Sequence, residues 1–194
     1  MQPDNLNVFD FDGTLIKVNS FKEITKIFSL KLLRKFRIMS FWLLATWYIF
    51  RRLGIMSHFE FKRRVVDIFE KSLTEDEKQN ISQKVFDENV NEVVFERMLK
   101  LDNCFVCTAS PFSYVSRISF KKKDVVVIGS LCPGNFFPDP ANFGMGKVEN
   151  IKAHFKGSKI RIMNLYTDSE DDKPLLDIAV NAFLCKKGNI VKVK

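Results

Sequence analysis

The chain opens on an apolar run, Leu6 to Phe9, of a length suited to a buried strand. Two carboxylates one residue apart, Asp10 and Asp12, stop it, and Gly13 then turns the chain. From Leu15 the period changes, and for some eighty residues apolar positions recur at helical spacing. Three Ser/Thr-x-x-Glu patterns mark helix starts there: Ser20 with Glu23, Ser57 with Glu60 and Thr74 with Glu77. In each, the hydroxyl can accept from a first-turn N–H while the Glu reaches back to the cap residue. Helices are therefore expected to start near 21, 58 and 75, with Gly54 closing the one before the second start. Val85, Val90, Val93, Val94, Met98 and Leu101 carry the helical period on through about 82–100.

After Leu101 strands return. Cys104–Cys107 and Asp124–Ile128 read as strands, the second ended by Gly129, with a helix over Pro111–Phe120 between them. A Pro/Gly/Asn-rich loop from Pro133 to Gly146 leads into a helix over Lys147–Phe155. Lys159–Leu165 is a further strand, Pro174–Ala179 a helix, and two short strands near Ala182 and Ile190 finish the chain. Strands alternating with helices predict an α/β fold with a parallel sheet. Restoring Leu6–Phe9 to that sheet leaves a core of residues 1–15 and 86–194, with an all-helical cap over 16–85 inserted after the first strand.

At 46% hydrophobic the chain has the material for a core, and disorder is excluded as its general state. The formal charge of +8 belongs to one segment: between Lys17 and Arg64 there are twelve Lys/Arg and two acids, and the remainder is near balance. Within that segment thirteen uncharged residues, Ile38 to Phe50, lie between Arg34-Lys35-Phe36-Arg37 and Arg51-Arg52. They are too few for a membrane span, which needs about 20 residues. A cap helix with solvated basic ends, an interfacial helix against anionic headgroups, or a basic mouth for an anionic substrate would each use this pattern. The same charge could meet nucleic acid, but no recognition module accompanies it, so no nucleic-acid partner is expected. Cys104 and Cys107 are spaced as Cys-x-x-Cys inside an apolar run, without the second pair or nearby His that a zinc site needs. Met1-Gln2-Pro3-Asp4-Asn5 has neither the basic nor the apolar region of a secretory signal, so a cytoplasmic location is expected, with a peripheral place at the inner face of the membrane as the variant.

Four stretches at strand ends carry chemistry. In open α/β sheets ligands bind beyond the carboxyl ends of the strands. Of Asp10 and Asp12, one can attack an electrophile or hold a cation while the other moves a proton. Thr108, Ala109 and Ser110 close the second core strand before a helix start, where a hydroxyl and free N–H groups can hold phosphate oxygens. Lys147 follows the flexible Gly144-Met145-Gly146 and can offset phosphate charge. Asp168-Ser169-Glu170-Asp171-Asp172 places four acids in five positions, a cluster that repels itself unless a hard dication binds.

Asp10-Phe11-Asp12-Gly13-Thr14-Leu15, Thr108, Lys147 and Asp168-Ser169-x-x-Asp172-x-Pro174-Leu175, in this order, resemble the four motifs of the haloacid dehalogenase (HAD) superfamily. The resemblance covers about 1–15 and 100–185 and most resembles the branch that includes phosphoserine phosphatase. It implies a Rossmann-like HAD core and a Mg2+-dependent phosphatase acting on a phosphomonoester through an aspartyl-phosphate. On it, Asp10 resembles the nucleophile and Asp12 the general acid/base. Thr108 and Lys147 resemble the phosphate-holding pair, with Ala109 beside them. Mg2+ would be held by Asp168, the Asp10 carboxylate and the Asp12 main-chain carbonyl, with Asp172 orienting its waters or Lys147. An acid at the Asp12 position favours hydrolysis. Thr167 departs from the family's usual Gly before the metal-binding Asp. Asn19 stands where phosphoserine phosphatases carry a substrate-binding Glu, which disfavours phosphoserine and makes Asn19 and Ser20 specificity candidates. The expected substrate is a small phosphorylated metabolite, such as an amino alcohol, sugar or nucleotide-sugar conjugate. The alternative is a lipid phosphate or surface-polysaccharide precursor met at an anionic membrane surface. A non-catalytic binding protein on the same scaffold is the rival of another class.

Overall fold

Leu6–Phe9 forms strand β1, buried along its whole length, and the rest of the sheet is assembled around it. The computed structural model describes residues 5–135, 137–156, 160–186 and 189–194. The expected absence of a secretory signal in residues 1–5 and the start of the expected Lys159 strand fall wholly or partly outside them. After β1 come helices α1 (Ser20–Arg34), α2 (Ile38–Arg52), α3 (His58–Ser72), α4 (Glu75–Asn89) and α5 (Glu92–Lys100). Then follow β2 (Cys104–Pro111), α6 (Phe112–Val115), β3 (Val126–Ser130), α7 (Met145–His154), β4 (Ile162–Thr167), α8 (Lys173–Ile178), β5 (Asn181–Lys186) and β6 (Asn189–Lys192). Among the described residues the sheet has the order β3-β2-β1-β4-β5-β6, parallel except for the β5–β6 pair. This is the expected mixed α/β, Rossmann-like architecture. The order reverses about β1, and that is where an open parallel sheet places its ligand.

Alternation along the strands divides the core in two. Leu6, Val8, Phe105, Cys107 and Leu165 face α7 and α8. Phe9, Val106 and Tyr166 face the helices that follow β1, in one continuous cluster with Phe28, Phe69 and Phe86. On that face Phe9, Tyr166 and Phe183 stack across β1, β4 and β5, with ring centroids 4.6 and 4.7 Å apart. Cys104 and Cys107 fall on opposite faces, so they cannot share a ligand, and burial pushes their thiols up to about 11 and about 12.

Several local expectations are corrected. The cap of α1 is Asn19, whose side chain accepts from the Lys22 N–H at 3.0 Å, and Ser20 is the first helical residue. Ser57 caps α3 by accepting from the Glu60 N–H, but the Glu60 carboxylate turns to Arg63 and Arg64. Only Thr74 and Glu77 close the reciprocal pair. The apolar period over 82–100 is not one helix: the expected cap boundary at 85/86 lies inside α4, and the chain breaks at Val90, which bridges to Ile16, before α5 begins. Strand β2 runs to Pro111 where a helix was expected to start, and that helix ends at Val115. Gly129 lies within β3 and does not end it; the position is glycine because a Cβ there would meet the Phe112 backbone at 2.8 Å. Gly54 follows the end of α2 at φ +73°, as expected of a helix terminator. Among the described residues no helix is long and apolar enough to cross a membrane.

Candidate functional site

The parallel strands bring their carboxyl ends to one edge. Hydrogen bonding of the Asp10 N–H to the Tyr166 carbonyl at 2.9 Å carries the β1–β4 ladder up to the first acid. Between β2 and β3 the ladder runs regularly to Cys107–Ile128 and resumes only at Pro111–Ser130. The residues between, Thr108 to Ser110, bulge off it, as strands beside ligand sites often do. Buried Asn142 pins the bulge, its amide donating to the Thr108 carbonyl at 2.7 Å and to the Ile128 carbonyl at 2.8 Å. Helix α7 then delivers Lys147. Gly146 is required there, since a Cβ would run into the Asp139 carboxylate.

The result is a cavity of about 250 Å³ lined by Asp10, Asp12, Asn19, Thr108, Ala109, Lys147 and Asp172, with Phe21, His58 and Lys62 reaching in from the helices. Lys147 Nζ lies 2.8 Å from Asp10 Oδ1 and 2.7 Å from Asp172 Oδ1, all three residues being buried. One ammonium therefore serves two carboxylates. Burial first, and then the negative charges of Asp172 and Asp12, push the Asp10 carboxyl up to about 7 against the pull of Lys147. Burial works against the charge on Lys147, but Asp10 and Asp172 outweigh it and hold the ammonium well above its usual range.

Asp12 is positioned differently. Its Oδ1 accepts the Ser20 N–H at 3.0 Å and its Oδ2 accepts the Ser110 hydroxyl at 2.7 Å. Burial raises its carboxyl, and these hydrogen bonds partly restrain the rise. The Ser20 hydroxyl lies 3.0 Å from both Ser110 Oγ and Tyr114 Oη. Ser20 thus supports Asp12 from beneath and does not line the cavity, whereas Asn19 does. The Thr108 hydroxyl accepts the Ser110 N–H at 3.0 Å, and the Ala109 carbonyl accepts from Lys62 Nζ at 2.8 Å.

Asp168 is set apart from this group. Its carboxylate lies over Gly13, where a Cβ would collide with it and where φ is +74°. It lines a neighbouring depression with Gly13 and Lys17, and burial followed by Asp172 and Asp12 raises its carboxyl. Thr167 donates to Asp172 Oδ2 at 2.7 Å, so the residue that departs from the family pattern fixes the acid that Lys147 needs. Two participants had no individual signal in the sequence: Tyr114 read as an ordinary residue after a strand and Lys62 as one cation in a basic run. Ser110 was read as part of the phosphate-holding stretch, and here its hydroxyl holds Asp12.

The haloacid dehalogenase-like hydrolase family matches this chain over residues 8–177. The chain belongs to that family. A search of curated proteins gave no match. Among solved structures it is similar to a protein with unknown function from Bordetella pertussis Tohama I, at 17% identity and TM-score 0.50, covering 93% of this chain and 89% of that one. It is also similar to a phosphoserine phosphohydrolase-like protein from Francisella tularensis subsp. tularensis SCHU S4, at 16% identity and TM-score 0.47, covering 93% and 86%. At such identities the likeness speaks to fold alone.

HAD hydrolases generally use a divalent metal, usually Mg2+. The residues here fit such an ion in kind and in charge. Asp10, Asp12, Asp168 and Asp172 are hard oxygen donors; burial raises the carboxyls of the first three, and neighbouring carboxylates add to the rise at Asp10 and Asp168. Among the described residues no three His, Cys, Asp or Glu side chains converge as ligands. A Mg2+ ion in this HAD chain would therefore rest on one or two carboxylates with main-chain oxygen and water, its usual manner of binding.

Proposed function

We propose that this HAD hydrolase is a phosphatase that cleaves a phosphomonoester through an aspartyl-phosphate on Asp10. The observation that carries the reading is the cavity in which Asp10, Lys147 and Thr108 meet, with Asp12 beside them. Lys147 engages Asp10 Oδ1, so Oδ2 is the oxygen that attacks phosphorus while the bond to the leaving oxygen breaks. Asp12, whose carboxyl is raised by burial, gives a proton to that oxygen. Asp12 then takes a proton from water, which attacks the aspartyl-phosphate, releases inorganic phosphate and restores Asp10. Lys147 neutralises charge on the equatorial oxygens and the Thr108 hydroxyl donates a hydrogen bond to them, and in phosphoryl transfer such positioning and charge neutralisation supply most of the rate enhancement. Asp10, the Asp12 carbonyl and Asp168 would hold Mg2+, which when bound supplies further charge neutralisation. Helices α1–α4 act as a cap, with Asn19, Phe21, His58 and Lys62 facing the leaving group.

The test is phosphate release from an aryl phosphate with Mg2+. Wild type is expected to turn over and Asp10→Asn to be inactive while folded. Full activity in Asp10→Asn would refute the assignment, and no release from any phosphomonoester would leave a phosphate-binding protein.

A further inference from the structure

Helix α2 is at odds with its surroundings. Of its fifteen residues only Leu44 is fully packed away. Met39, Trp42, Ile49 and, just past its end, Leu53 are 79%, 64%, 53% and 66% exposed. Their spacing places them on one stripe of the helix, and Phe36 and Ile55 extend the apolar surface beyond its two ends. An exposed apolar face of this extent marks an interaction site.

Charge narrows what could cover it. No Asp or Glu occurs between Glu23 and Glu60, while Arg34, Arg37 and Arg52 flank the stripe. Among the described residues none of these three pairs with a carboxylate, and the nearby Lys31 and Lys35 are the ones engaged, by Glu77. An apolar stripe bearing aromatics, with cations at both ends and no acids, matches the interface of an anionic bilayer.

A second observation ties the stripe to the catalytic cavity. The inner face of α2 and the facing side of α1 enclose a groove of about 670 Å³, much larger than the catalytic cavity itself. Asn19, Phe21 and His58 line both spaces, so the two adjoin at these side chains. Its floor is apolar, with Leu44, Ala45 and Phe61, and Lys26 and Arg51 contribute cations to its lining. A phosphate seated at Lys147 would have its apolar remainder directed along this groove toward α2.

We infer that the substrate is an amphiphilic phosphomonoester borne on an anionic lipid surface, with the outer stripe of α2 on that surface and the groove behind it taking the apolar chain. The inference rests on the phosphatase reading and names its substrate class. The phosphate is cleaved at Asp10 as above, leaving the hydroxyl of the amphiphile and inorganic phosphate.

The experiment compares phosphate release from phosphatidic acid in phosphatidylcholine vesicles, with and without phosphatidylglycerol, against glycerol phosphate and an aryl phosphate in solution. Co-sedimentation with the same vesicles is read in parallel. Wild type is expected to sediment with the anionic vesicles at low salt and to prefer the vesicle substrate to glycerol phosphate. Trp42→Glu and Ile49→Glu change exposed positions, and each is expected to lower vesicle turnover by about tenfold or more, the loss of one interfacial side chain, with aryl phosphate turnover unchanged. Ala45→Trp, which narrows the groove, is expected to raise KM for phosphatidic acid without impairing sedimentation. Aryl phosphate turnover without sedimentation, or with vesicle activity indifferent to the α2 variants, overturns this inference alone. Release from none of the three substrates overturns the phosphatase reading and this one with it.

Discussion

Asp10 should cost the protein stability at neutral pH, and removing its charge should show how much. Its carboxyl is raised from 3.8 to about 7 in the folded state by burial and by the Asp172 and Asp12 charges. Below 3.8 both folded and unfolded chains carry the proton, and the group is neutral in its effect. Between 3.8 and about 7 the folded chain holds a proton that the unfolded chain has released, so stability falls as pH rises. Above about 7 the full penalty applies, on the order of 4 kcal/mol for a shift of about three units. Asp10→Asn lacks this term while Lys147 keeps Asp172 as its partner at 2.7 Å. Urea unfolding in EDTA should therefore find the variant more stable than wild type at pH 8, by up to about 4 kcal/mol, with the gap closing toward pH 4. Mg2+ added at pH 8 should stabilise wild type and not the variant, because a ligand of the folded state alone shifts its apparent stability. A variant less stable at pH 8, or a difference that does not change with pH, would refute the picture of a carboxylate whose burial Lys147 only partly offsets.

Ser110→Ala removes the hydroxyl that donates to Asp12, so the Asp12 carboxyl should rise further and the alkaline limb of kcat/KM, where Asp12 has lost the proton it donates, should move up by about one unit. An unmoved limb would separate Asp12 from proton transfer. Gly13→Ala forces a side chain into φ +74° and against Asp168, and should lower stability by about 1–3 kcal/mol together with Mg2+-dependent activity. Thr74→Ala opens the cap of α4 and should cost about 1 kcal/mol in thermal unfolding with kcat unchanged.

The sheet was legible because β1, β2 and β4 carry apolar runs that end in chemistry, and alternation with helices leaves few topologies. What periodicity alone could not supply was where a helix yields to tertiary contacts. Val90 continues the helical spacing but is taken by the bridge to Ile16, and Ser20 matches a capping box while Asn19 makes the cap. The same limits shaped the site. Asp10, Asp12 and Thr108 lie at strand ends and Lys147 follows a Gly-x-Gly turn, so all four could be named in advance, and the structure brings them to one cavity. Asp168 was named with them and lies over Gly13, in the depression next to that cavity, while Asp172 is the acid that reaches Lys147. Ser110 and Lys62 enter through a strand bulge and a helix from a distant stretch of chain, which no local pattern records.

The most direct test of the chemistry is to catch the phosphoryl group. Wild type mixed with an aryl phosphate and Mg2+, quenched in acid and digested, should yield a phosphorylated peptide whose modified residue is Asp10. Phosphate release with the label on another residue, or with turnover surviving in Asp10→Asn, would contradict an aspartyl-phosphate at the end of β1.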